Sequence, residues 1–125
     1  MYRKDGAELV LDGWDGEQPT EHERIPLGQG ICGRAARENR TVRVDDVGTD
    51  PEYLACFRSA RSELVVPIRD GVEVLGEIDV DGRVMAAFDP TDERFLSEVA
   101  VRLAPSLRLA PTPPPGSAES LSVLR

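Results

Sequence analysis

Two cysteines are the residues of this 125-residue chain that are best suited to covalent chemistry, and they lie 24 positions apart. Cys32 falls within the stretch "GQGICG" (28–33), and Cys56 ends the stretch "DPEYLAC". The glycine spacing has the form G-x-G-x-x-G. It fits three roles: a phosphate cradle, a thiol site, or a tight turn that leads into a helix. The surrounding elements must decide among them.

Composition and charge restrict the classes of partner. The net charge is −8, with 23 acidic against 15 basic residues, which disfavours phosphate-rich partners. Arg34, Arg37 and Arg40 are the nearest candidate for a basic patch, but their spacing on a predicted helix is typical of a solvated face. No apolar run approaches the ~18 residues that a transmembrane helix needs. We therefore expect no nucleic-acid partner and no membrane partner.

Cysteine usage indicates the compartment and argues against a resident metal. The first residues, "MYRKDGAEL", lack the apolar segment of a secretory signal, and free thiols suit a reducing environment. We therefore expect a cytoplasmic protein. Two cysteines and one histidine are too few soft ligands for a closed zinc site. We expect no metal and no cofactor.

Hydrophobic alternation and turn signals predict an α+β domain. The predicted strands are 7–14, 23–27, 41–45, 62–68 and 72–81. Pro26 favours an edge position for the second strand. One helix follows the glycines to about Arg40, and a second has Asp89 as N-cap and Pro90 at its first position. This order indicates an antiparallel sheet rather than alternating βαβ units, which argues against a dinucleotide fingerprint in "GQGICG".

The chain is predicted to hold one domain and a tail. The domain covers residues 1–104. From residue 105 the sequence reads "PSLRLAPTPPPGSAESLSVLR", which carries five of the ten prolines and no periodicity. We predict that the tail, 105–125, is disordered.

The strands 62–68 and 72–81 are predicted to form a hairpin around Asp70-Gly71. A three-residue turn, with Gly71 in the left-handed conformation, pairs Leu64 with Ile78. This register collects the apolar residues on one face and the acidic residues on the other.

The acidic face of this hairpin is a candidate site. The predicted register sets Glu63 opposite Asp79, with Asp81 on the same face. Three carboxylates at this spacing repel one another unless a cationic group lies among them. Two interpretations remain open: a solvent-facing surface with nearby arginines, and a site for a cationic ligand such as an ammonium group.

Four separated blocks of the chain resemble the GAF domain family. They are "RIPLGQGICGRAARENRTVRVDDV", "YLACFRSARSELVVPI", "GEIDVDG" and "FDPTDERFL". Within that family they resemble most closely the small free methionine-(R)-sulfoxide reductases, over about residues 2–104. The resemblance implies a twisted antiparallel sheet, with helices packed on one face and a small-molecule pocket on the other.

The resemblance also implies a thiol site for free methionine sulfoxide. In the reductases the cysteine of the "AC" block attacks the substrate and becomes a sulfenic acid, and that position is Cys56 here. Cys32 matches a second family cysteine, which would resolve the sulfenic acid as a disulfide for a thioredoxin-type donor. Its place near a helix N-terminus favours the thiolate. Glu63, Asp79 and Asp81 match residues that bind the substrate's polar groups and assist protonation of its oxygen.

The chain also departs from the reductase pattern. His22 stands where the reductases carry a third cysteine. The family's opening helix and most of its first strand are missing, so we expect an exposed sheet edge that favours a homodimer. The alternative is a non-catalytic GAF domain that senses a small molecule or dimerises in signalling, with Cys32 and Cys56 as small buried fillers.

Overall fold

The described part of the chain is built around an antiparallel sheet. A computed structural model describes residues 1–16, 20, 22–54 and 59–109, together with the backbone of 119–120. The strands are β1 Tyr2–Asp5, β2 Glu8–Leu11, β3 Gly13–Trp14, β4 Arg24–Pro26, β5 Val42–Val44, β6 Ser62–Asp70, β7 Glu73–Gly82 and β8 Glu119–Ser120. The helices are α1 Gly30–Glu38 and α2 Pro90–Leu109. Six strands form the sheet in the order β4-β2-β1-β7-β6-β5. The predicted α+β class and the edge position of β4 are confirmed.

The first strand of the sheet was not predicted. A single strand was expected over 7–14, whereas β1 and β2 form a hairpin that turns at Gly6-Ala7. Gly6 has a φ of 60°, a conformation that glycine adopts without strain. β1 lies between β2 and β7 in the sheet, so Tyr2 pairs with both Leu11 and Glu77.

The β6–β7 hairpin keeps the predicted faces but not the predicted register. Glu63 pairs with Asp81 and Val65 pairs with Asp79, a shift of two residues from the expected pairing. A shift of two leaves every side chain on its original face, because strand side chains alternate with a period of two. The acidic residues of β7 therefore still share one face with Glu63.

A bulge near the turn explains the wrong register. Asp70 pairs with Glu73, so the turn has two residues rather than three, and the register shifts beside Ile68. The bulge moves Val74 away from the face of Ile78, where it was expected, and into the core around Tyr2.

The two helices lie on opposite faces of the sheet, which corrects the expectation that both would pack on one face. Ile31 and Ala35 of α1 share a core with Val65, whereas α2 packs on Leu64 and Val66. The sequence did contain a signal for helices on both faces of the sheet. All of residues 62–68 are buried, as expected for an apolar run covered on both sides.

Helix α2 continues five residues beyond the predicted domain boundary. Asp89 caps it as expected, since its side chain accepts hydrogen bonds from the backbone N–H groups of Thr91 and Asp92 at 2.8 and 3.1 Å. Pro105 lies inside the helix. The chain's amphipathic stripe extends past it, because Leu107 is buried in the same core as Leu96 and Ala100.

The predicted tail is only partly described. Residues 110–118 and 121–125 lie outside the described residues, so their expected disorder stays a prediction. The backbone of β8 pairs in parallel with β3. Within the described residues, neither helix is both long enough and apolar enough to cross a bilayer.

Leu107 should contribute to stability as a core residue. It packs over Gly76, and its carbonyl accepts a hydrogen bond of 2.8 Å from the Arg3 guanidinium. We expect Leu107→Ala to lower the free energy of unfolding by about 2–4 kcal/mol in urea denaturation. Val101→Ala, at a position 73% exposed, is the control and should change it by less than about 0.5 kcal/mol. Equal, small effects would contradict the packing of the last helical turn.

Candidate functional site

A cavity of about 560 Å³ lies beside β7, with one apolar and one acidic wall. Tyr2, Leu11 and Trp14 form the apolar wall, and Asp79 and Asp81 line the acidic side. Thr20, Ser59 and Arg83 also line the cavity. The arrangement suits a small molecule that carries both an apolar and a cationic group.

Four of the five predicted site residues meet behind the acidic wall. The Cys32 thiol donates a hydrogen bond of 3.1 Å to Oδ2 of Asp79. Cys32 and Glu63 are each only 3% exposed, and one ligand atom from each of Cys32, Glu63 and Asp79 lies within 4.8 Å of the others. Asp81 pairs with Glu63 across the hairpin. We call these four residues, together with Glu77, the acid–thiol cluster.

The fifth residue, Cys56, lies outside the described residues. The chain is described up to Leu54 and again from Ser59. Its role as the attacking thiol therefore stays a prediction.

The glycines of "GQGICG" bring Cys32 into the acid–thiol cluster. Gly30 begins α1 with a φ of 71°, which a larger residue rarely adopts. A Cβ on Gly33 would lie 2.7 Å from the carbonyl oxygen of Leu27, so only glycine lets the helix approach the chain after β4 so closely. The stretch is thus a tight turn into a helix, and the antiparallel sheet beside it is not a dinucleotide-binding architecture.

Burial raises the pKa of every carboxyl group in the cluster. Burial raises the pKa of Glu63 well above its usual range, and the charges of Asp79 and Asp81 raise it further. Burial and Asp79 raise the pKa of Asp81 to about 8. Burial raises the pKa of Asp79, although its interactions with the Cys32 thiol, the N-terminal amine and Glu63 lower it in part. The cluster therefore holds acidic protons at neutral pH.

The Met1 N-terminal amine lies near the cluster, and burial lowers its pKa. The Met1 ammonium donates a hydrogen bond of 2.7 Å to the Gly13 carbonyl. Its positive charge lowers the pKa of both Glu77 and Asp79, against the larger effect of burial.

The Cys32 thiol is not activated, contrary to the expectation from its place near a helix N-terminus. Burial raises its pKa well above the ordinary value, and the negative charges of Asp79, Glu77 and Glu63 raise it further. Desolvation and nearby carboxylates thus outweigh the helix dipole. Cys32 is a protonated thiol until a neighbouring group accepts its proton.

Glu77 belongs to the site but was not singled out from the sequence. Glu77 is 0% exposed, and neither of its carboxyl oxygens has a hydrogen-bond partner among the described residues. Burial raises its pKa well above the usual range. The signal was the alternation in "GEIDVDG", which places Glu77, Asp79 and Asp81 on one face.

The arginines of α1 hold the segment that leads toward Cys56. Arg34 forms ion pairs with Asp50 at 2.6 Å and with Glu52 at 3.4 Å, and Arg37 reaches Glu52 at 2.9 Å. The side chain of Arg34 is only 16% exposed, so this surface is a paired network rather than a freely solvated face. It fixes residues 50–52 against the helix that carries Cys32.

The fold agrees with comparisons to known proteins. A family model for the GAF domain matches residues 2–107. The chain belongs to the GAF domain family. Its span is between 57% and 63% of the length of three curated relatives that it matches.

This GAF domain is similar to several free methionine-R-sulfoxide reductases. It is 43% identical to the type II enzyme of Thermoplasma acidophilum, with a TM-score of 0.82 over 86% of this chain and 75% of that one. The enzyme of Neisseria meningitidis, solved in complex with its substrate, is 38% identical, with a TM-score of 0.78 over 86% and 64%. The Escherichia coli enzyme is 34% identical over 82% of this chain and 61% of its own length.

The buried acids of the GAF domain should make its stability fall with rising pH. The pKa of Asp81 is about 8 in the folded chain and near 3.8 when unfolded, so between these values the folded state binds more protons. Stability is then lost as pH rises from about 4 to 8. We expect a fall of about 2 kcal/mol or more, measured by urea denaturation. Acids whose pKa is lowered, such as Asp50, titrate below this window.

Asp81→Asn tests the source of this pH dependence. The amide cannot ionise, so the variant should be more stable than the unsubstituted chain at pH 8, and the difference should shrink as pH falls toward 4. Asp5→Asn, which changes an exposed residue at the end of β1, is the control and should keep the original slope. Parallel pH profiles for Asp81→Asn and the unsubstituted chain would show that Asp81 is not a buried acid.

Proposed function

We propose that this GAF domain reduces free methionine-(R)-sulfoxide by thiol chemistry. The observation that carries the proposal is the acid–thiol cluster behind the cavity: Asp79 lines the cavity and accepts a hydrogen bond of 3.1 Å from the Cys32 thiol. Identities of 34–43% with free methionine-R-sulfoxide reductases support the same substrate class.

The two walls of the cavity match the two ends of the proposed substrate. The ammonium group of a free amino acid would lie near Asp79 and Asp81, whose carboxyl oxygens can accept its hydrogen bonds. The methyl and methylene groups beside sulfur would pack against Tyr2 and Trp14. A residue within a polypeptide lacks the free ammonium, so the acidic wall favours the free amino acid.

In the first step the Cys56 thiolate attacks the sulfoxide sulfur and receives its oxygen. The S–O bond of the substrate breaks, methionine leaves, and Cys56 becomes a sulfenic acid. The developing oxyanion needs a proton, and the protonated carboxyl groups of Glu63 and Asp81 can donate it at neutral pH.

In the second step Cys32 resolves the sulfenic acid. Its thiol sulfur attacks the Cys56 sulfur, a disulfide forms, and the hydroxyl leaves as water with the thiol proton. Asp79 is placed to accept that proton first, since it is already hydrogen bonded to Sγ. A thioredoxin-type dithiol then reduces the disulfide and returns both cysteines to thiols.

This catalytic cycle bears on the compartment and on the cofactors that the protein needs. A thioredoxin-type donor and free thiols belong to a reducing compartment, so we place the protein in the cytoplasm. The cycle needs no cofactor. A homodimer stays a prediction, and the edge strands do not favour it: β4 and β5 have three residues each, and short edges resist pairing.

A ligand-sensing domain in signalling is the second candidate. One observation favours it: Cys32 is 3% exposed and its pKa is raised well above the ordinary value, as in an inert core thiol. The cavity would then bind a small cationic ligand without reaction.

A coupled thioredoxin assay on free methionine-(R)-sulfoxide separates the two candidates. We expect turnover by the unsubstituted chain and none by Cys56→Ser. Cys32→Ser should release one methionine per chain and then stop, because the sulfenic acid is not resolved. Glu63→Gln should lower kcat about 10²-fold or more, as for the loss of a proton donor.

Asp5→Asn is the matched control and should keep full turnover. Circular dichroism verifies that each variant is folded. No turnover by the folded, unsubstituted chain would reject the reductase and leave the sensing domain. Turnover that survives in Cys56→Ser would reject the assignment of the nucleophile.

A further inference from the structure

The acid–thiol cluster has the composition of a metal site as well as that of a reaction site. Ligand atoms of Cys32, Glu63 and Asp79 lie within 4.8 Å of one another, and the three residues come from α1, β6 and β7. Three separate elements of the packed core therefore fix the group, rather than one flexible loop.

A second observation points to a cation at the same place. Glu77 is fully buried, yet neither of its oxygens has a hydrogen-bond partner among the described residues. The carboxyl lies close enough to Cys32 to raise the pKa of its thiol. Oδ1 of Asp79 is buried and equally without a partner in the described chain. Buried oxygens of this kind are costly, and coordination to a cation removes the cost.

We propose that Cys32, Glu63 and Asp79 bind a zinc ion, with Glu77 beside them as a further oxygen donor. Tetrahedral Zn²⁺ takes thiolate sulfur at about 2.3 Å and carboxylate oxygen at about 2.0–2.2 Å, which sets its ligand atoms about 3.5 Å apart. The ligand atoms lie within 4.8 Å of one another, so binding would draw them closer together. Binding displaces the protons of Cys32 and Glu63 into solution, so charge and atoms balance.

The thiol decides which divalent ion the site takes. Ca²⁺ and Mg²⁺ prefer six or more oxygen ligands, many of them water, and do not suit a dry site with a sulfur donor. Zn²⁺ accepts mixed sulfur and oxygen ligands at low coordination number. The expectation of no metal counted only cysteine and histidine as ligands and left the carboxylates out.

Zinc titration of the reduced full-length chain against a chromophoric chelator tests the site. We expect one Zn²⁺ per chain, with affinity lowered at least 10-fold in Cys32→Ser and Asp79→Asn and about 10-fold in Glu77→Gln. Cobalt(II) should give a thiolate charge-transfer absorption that disappears in Cys32→Ser. Asp5→Asn and Cys56→Ser should bind as tightly as the unsubstituted chain.

The outcomes separate this site from its alternatives. Loss of binding in Cys56→Ser would overturn the proposal in favour of a site made by the two cysteines. Binding unchanged in Glu77→Gln and Asp79→Asn, in chains shown to be folded, or no binding at all, would also overturn it. The inference does not rest on reductase activity: zinc is titrated without substrate, and turnover is assayed with a chelator present.

Discussion

The burial of acidic side chains between β7 and α1 is the constraint on which the rest of the site depends. β7 is hydrogen bonded on both sides, by β1 and β6, so its backbone is held inside the sheet and alternate side chains point to the same face. Glu77 and Asp79 face α1, and the N-terminal turn of that helix brings Cys32 against them. Removed from water, the carboxyl groups keep their protons and the thiol keeps its own. The same burial costs stability and supplies the site with acid groups at neutral pH.

Much of the architecture could be predicted from local patterns. The Asp89 cap, the edge proline of β4 and the alternation of β7 are local signals, and each was confirmed. The errors came from features that local patterns do not encode. The bulge beside Ile68 depends on contacts across the sheet, and α2 passes Pro105 because Leu107 has a place in the core. The apolar run within residues 62–68 was a sequence signal that helices cover both faces of the sheet, and these residues are indeed buried.

The sequence predicted which residues belong to the candidate site better than it predicted their charge states. A register wrong by two residues still placed Glu63, Asp79 and Asp81 on one face, because parity alone decides the face. Glu77 shares that parity, but its complete burial depends on β1 pairing beside it, and β1 was not predicted. The charge state of Cys32 could not be predicted from its place at a helix start. It depends on carboxylates 31 and more positions away along the chain, which only the fold brings close.

The central claim is that the acidic wall of the cavity carries protons at neutral pH, and a carboxyl titration tests it most directly. Aspartate labelled with ¹³C at the side-chain carboxyl gives an NMR shift for each residue as pH changes, and Asp81→Asn identifies the Asp81 signal. We expect an apparent pKa of about 8 for Asp81. A titration of Asp81 near its ordinary value of 3.8 would contradict a buried, protonated carboxyl group.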